Sequence, residues 1–117
     1  MDLLDIETTA DHEAGAECRI RSPKTGKPTD FYITVLGPDS KKYREAQGQL
    51  YRAIMDKKES GSTDFLAAIT TDWRGLTDNK KPVAFSKKAV KSIYMNAPYI
   101  ANQVDSFIGD RVNFIKG

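Results

Sequence analysis

Catalysis by a small chain needs a nucleophile or titratable group held beside a partner, and this sequence offers few. It has one histidine, His12, and one cysteine, Cys18, in 117 residues. A general base at His12 would need a Ser or Cys nucleophile in an organised setting. Its neighbours are Asp11 and Glu13 in an acidic stretch, which reads as an ordinary exposed histidine. Cys18 alternates with Arg19, Ile20 and Arg21, the pattern of a small buried hydrophobe on a strand rather than a reactive thiol. Asp105 and Asp110 are scattered over polar faces and give no paired acid and base. One His and one Cys cannot supply the three or four ligands of a zinc site, and a single Cys forms no internal disulfide. Gly26 and Gly37 punctuate turns, and no glycine-rich phosphate cradle occurs. The expectation is therefore a non-enzymatic, protein-binding chain with no catalytic residue, cofactor or metal.

Charge narrows the class of partner. Eighteen Lys and Arg against sixteen Asp and Glu leave a formal net charge of +2, far from the basicity that counterion release on nucleic acid rewards. Lys41, Lys42, Arg44, Lys57, Lys58, Lys80, Lys81, Lys87, Lys88 and Lys91, interleaved with Tyr43, Tyr51 and Tyr94, leave a small nucleic-acid-binding regulator as an alternative. Solvated helix faces explain them more cheaply. The start Met1-Asp2-Leu3-Leu4-Asp5 lacks the basic and apolar regions of a signal peptide, and no stretch reaches the ~20 apolar residues of a membrane span. A cytoplasmic location and no membrane partner are expected.

The elements that must position any binding surface follow from periodicity. The length fits one domain. Residues 1–16 hold acids and no Lys or Arg and read as a flexible acidic arm, with residues 17–117 as a single α+β domain. Alternation from Glu17 to Arg21, a turn-rich Ser22 to Pro28, and the β-branched and aromatic run Phe31 to Leu36 predict a two-stranded hairpin over about 17–36. Asp39 or Ser40 can cap a helix from about Lys41 to Lys57, with Tyr43, Ala46, Leu50, Ala53 and Ile54 on one stripe. Thr63 can cap a shorter helix whose face holds Phe65, Leu66, Ile69 and Trp73, before a polar loop from Thr77 to Pro82. Ser86 caps a helix to about Asn96, with Phe85 packing back on Val90 or Ala89 as a hydrophobic staple. Pro98 opens a last helix, on which Ile100, Val104, Phe107, Ile108, Val112 and Ile115 repeat to the C-terminus. The expected fold is α+β, mainly helical, a hairpin on four helices. The apolar surface of the last helix, Phe114 included, is wider than one stripe. It is the expected protein-binding face, through Ile100, Val104, Phe107, Ile108 and Ile115.

Trp73-Arg74-Gly75-Leu76, a polar loop containing Asp78, then Pro82-Val83-Ala84-Phe85-Ser86 opening a helix, and Pro98 before an isoleucine-rich last helix form a recurring pattern. On these residues, over about residues 30–117, the chain resembles the tail assembly chaperones of tailed bacteriophages. The loop departs from that pattern in lacking an Asp-Gly turn. The resemblance implies a protein that coats the long tape measure protein during tail assembly and brings tail tube subunits to it. It implies a homo-oligomer in the host cytoplasm, absent from the mature virion, and in many such families a longer frameshifted form. A structural tail or head-completion protein is a further alternative.

Overall fold

The structure, a computed structural model, describes residues 1–115. The fold is α+β and mainly helical, as expected, with a three-stranded sheet where the sequence predicts a two-stranded hairpin. Strands β1 (Ala16–Arg21) and β2 (Pro28–Val35) form the expected antiparallel pair. Strand β3 (Thr70–Arg74) adds to the other side of β2, giving the order β1-β2-β3. Residues 70–73 were expected to continue a helix. Instead helix α4 (Gly61–Ile69) stops at Ile69, and Ile33 pairs with Trp73. Phe65, Ile69 and Trp73 fit a helical period, but Thr70, Thr71 and Trp73 also favour a strand, and the ladder on β2 decides between them.

One face of the sheet carries Cys18, Ile20, Phe31, Ile33, Val35 and Trp73, all buried. Helices α4, α5 (Lys87–Asn96) and α6 (Pro98–Ile108) complete the core with Phe65, Leu66, Ile69, Val90, Tyr94, Val104 and Ile108. The pairing register shifts between Arg19 and Arg21. The Thr29 hydroxyl donates to the Ile20 carbonyl (2.6 Å) at that irregularity. On the outer edge of β1, Gln103 of α6 behaves as a one-residue strand. Its Oε1 accepts from the Arg21 N–H (2.7 Å) and its Nε2 donates to the Arg21 carbonyl (3.0 Å).

Helix α3 (Lys41–Met55) begins as the sequence predicts, the Ser40 hydroxyl accepting from the Tyr43 N–H. Ser86 caps α5 in the same way through the Ala89 N–H, and Pro98 sits in the first turn of α6. The last helix was expected to run to the C-terminus. It ends at Ile108, and Asp110 caps a separate 3-10 turn, Arg111–Phe114. Lys116 and Gly117, which that expectation included, lie outside the described residues.

The loop from Thr77 to Pro82 is a small hairpin, with β4 (Thr77–Asp78) pairing β5 (Lys81–Pro82). Asn79 (φ 49°) and Lys80 (φ 66°) both take the left-handed conformation. That is the requirement of the two-residue turn an Asp-Gly pair usually fills.

The first sixteen residues, expected as a flexible arm, contain helices α1 (Leu3–Ile6) and α2 (Thr9–Ala14). No residue of α1 is buried. His12 of α2 is fully buried, which corrects the expectation of an exposed histidine. Its Nδ1 accepts from the Asp39 N–H (2.9 Å), and its ring lies 5.2 Å from that of Phe114. The Thr8 hydroxyl donates to Asp39 Oδ2 (2.6 Å), and Arg111 pairs with Asp39 Oδ1 (3.3 Å). A β-carbon on Gly37 would stand 2.3 Å from His12 Nδ1, so only glycine lets that ring seat. These contacts fasten α2 to the turn before α3 and to the 3-10 turn.

Candidate functional site

The structure leaves an open groove of about 570 Å³ between α3, α4 and α6. Helical spacing builds it. Tyr43, Gln47, Leu50 and Tyr51, at steps of three and four, make one wall. Phe65 and Leu66 of α4 make the floor, and Ala101, Asp105 and Ile108 of α6 the other wall. Tyr43 meets Phe65 edge to face (ring centroids 5.1 Å), which fixes both rings. Burial, and then the Asp105 carboxylate, push the Tyr43 phenol above its ordinary value. It therefore stays neutral and can donate or accept a hydrogen bond.

The groove has an apolar interior with Gln47, Thr63, Asn102 and Asp105 at its polar rim. Such a surface accepts the apolar side chains of a helix while the rim orients its polar ones. At the edge of the groove Tyr51 is 59% exposed, and beyond it α3 continues outward with Ile54 and Met55 exposed at 61% and 82%.

The residues expected to bind a partner through the last helix are divided by the structure. Val104 and Ile108 are 0% and 4% exposed, so they serve this chain's own core. Only part of Ile108 is presented, as groove lining. Ile100 and Phe107 are half-buried, Phe107 edge to face with the buried Phe114 (5.5 Å). Ile115 and Val112 are exposed. The surplus apolar face read from the sequence is largely consumed, because the break at Gly109 and the 3-10 turn fold Phe114 back inside.

The residues of the Trp-x-Gly-Leu pattern form a clasp. Trp73 is buried and its Nε1 donates to the Val83 carbonyl (2.8 Å). Phe85, expected as a staple on α5, meets Trp73 edge to face (5.2 Å). Gly75 has φ +84°, and a β-carbon there would come within 1.8 Å of the Asp30 carbonyl oxygen, so no other residue fits. Leu76 is half-buried against the core, while Pro82 pairs with Thr77 in the small hairpin.

Two polar groups have roles that the sequence reading did not give them. The Lys87 ammonium donates to the carbonyls of Ala67 (3.0 Å), Ala68 (3.2 Å) and Thr70 (2.5 Å). It thereby adds a charged donor to carbonyls at the end of α4 and at the first residue of β3. Burial holds its pKa below the ordinary lysine value. Asp39 is the other. The Thr8 hydroxyl and, with it, the Arg111 guanidinium of the 3-10 turn hold its carboxyl below the usual range. No local signal marks these roles, since the partners lie far along the chain. Cys18 is buried, and desolvation pushes its thiol up to about 11, which disfavours the thiolate. Among the described residues, no group of three or more His, Cys, Asp and Glu is placed to hold a metal. No helix among them is long and apolar enough to cross a membrane.

Compared with known proteins, the chain matches no family model, no curated protein and no solved structure.

Proposed function

We propose that this chain is a tail assembly chaperone of the tailed-bacteriophage kind, a non-catalytic protein that holds helical stretches of a tape measure protein. On this reading it acts in the host cytoplasm, recruits tail tube subunits, and leaves before the virion is complete. The observation that carries the proposal is the α3/α4/α6 groove, lined by the apolar Leu50, Phe65 and Leu66 together with the polar Gln47, Asn102 and Asp105. A helix laid along it would bury apolar side chains at i, i+3 and i+4 spacing. The Trp73, Gly75, Phe85 and Ser86 resemblance supports the same reading, and the clasp those residues build braces the connection between α4 and α5.

The nucleic-acid alternative is weakened at two of its lysines. Lys87 is spent on backbone carbonyls and Lys91 pairs with Asp64.

The test is binding of overlapping helical tape measure fragments by calorimetry, with Asn102→Trp to fill the groove from its exposed rim. The expected result is at least a tenfold weaker Kd in the variant with an unchanged melting curve. A wild-type chain that ignores every fragment would sink the reading.

A further inference from the structure

The two ends of this molecule's surplus chemistry complement each other. Helix α1 exposes Leu3, Leu4 and Ile6 at 64%, 77% and 57%, and residues 1–7 carry Asp2, Asp5 and Glu7 with no Lys or Arg. Asp2 and Asp5 close a reciprocal capping box around this single turn. So short a helix is marginal in water, and its three apolar side chains stay mostly exposed among the described residues.

Helix α3 has the opposite surplus. It contains Lys41, Lys42, Arg44 and Arg52 against the single acid Glu45. Arg44, Gly48, Tyr51 and Met55, at steps of four, three and four, fall on one side of it, with Ile54 alongside. Tyr51, Ile54 and Met55 are exposed, and neither Arg44 nor Arg52 is ion-paired among the described residues. Gly48 stands in the middle of this stripe. A β-carbon there would meet nothing within 4 Å in this chain, so the fold gains nothing from a residue that weakens a helix. A notch without a side chain between Arg44 and Tyr51 lets another backbone approach closely.

We propose that the N-terminal segment Met1–Glu7 of one copy docks on the α3 stripe of a second copy, Leu3, Leu4 and Ile6 covering Tyr51, Ile54 and Met55 while the carboxylates face Arg44 and Arg52. The contact joins two different patches, so it is heterologous. Each linked pair keeps one free stripe, on the first copy, and one free segment, on the second, and the assembly grows head to tail into a chain, or a ring if the rotation closes. Docking of α2 through His12 and Asp39 sets where each segment leaves its own chain. A seven-residue contact lies below the ~1,000 Å² of a stable interface, so each link is weak and reversible. The proposal does not depend on the tape measure reading, because it concerns copies of this chain alone.

The experiment is sedimentation velocity on the full chain over a hundredfold range of concentration. A segment variant, L3D with I6D, and a stripe variant, Y51D with M55D, are run beside it. All four positions are exposed, and circular dichroism checks that both variants fold. The wild type is expected to rise in mass with concentration and to lose that rise in high salt, which screens the charges. Each variant alone is expected to remain a monomer. An equal mixture is expected to give a species of twice the monomer mass and nothing larger, since one intact segment and one intact stripe make a single link. A synthetic Met1–Glu7 peptide is expected to lower the wild-type mass. A wild type that stays monomeric, a segment variant that assembles normally, or a mixture that stays monomeric would each overturn the proposal. Segments folding back on their own α3 would give the first of these outcomes.

Discussion

Helices α3 and α4 lie against each other, yet they spend their residues differently. Of the nine residues of α4, Gly61, Phe65, Leu66, Ala67 and Ile69 are buried, whereas of the fifteen residues of α3 only Ala46 is. Helix α4 is enclosed by α3, α5, α6 and β3, while α3 packs on α4 and leaves a flank open. Both sequences show an apolar stripe. A stripe records that a face gains from burial, and the count of neighbouring elements decides whether the chain covers it or a partner must.

The sharpest way to break this contrast is at their shared contact. Phe65→Ala removes the ring that floors the groove and stacks on Tyr43, at an expected cost of about 3–5 kcal/mol in denaturant unfolding. Ile54→Ala on α3, at 61% exposure, should stay within about 0.5 kcal/mol. Equal losses at the two positions would mean that α3 is buried after all. Next in size is Lys87→Met, which leaves the carbonyls of Ala67, Ala68 and Thr70 without their shared donor. A loss of about 1–3 kcal/mol is expected, and no change would show that water replaces the ammonium. One effect runs the other way. Gly48→Ala should raise stability by about 1 kcal/mol, since the added methyl meets nothing and alanine favours the helix.

Much of this architecture was legible in the residues. Ser40 and Ser86 mark helix starts because a hydroxyl before an apolar period has few better uses, and both accept the N–H three residues on. The pairing of β1 with β2 was legible because its turn is local. Strand β3 was not, because Phe65, Ile69 and Trp73 satisfy a helical period and the ladder that overrules it comes from β2, some forty positions earlier. His12 was misread for a similar reason. Its acidic neighbours suggest solvent, but its partners Asp39 and Phe114 lie in other segments. The groove itself has no sequence signature, since it is what three amphipathic helices fail to fill. The apolar residues of the last helix misled because a break at Gly109 cannot be weighed without knowing that Phe114 has a slot to enter.

The carboxamide of Gln103 on β1 bears on how this chain behaves in a crowd. An open strand edge invites the same edge of a neighbour, and repeated pairing of that kind ends in fibres rather than in an assembly that can come apart. Gln103 occupies both the N–H and the carbonyl of Arg21, so a second copy arriving there finds that position already bonded. Many copies can then be gathered at high local concentration with helix surfaces left to form reversible links, and at that end of the edge the sheet cannot become the glue.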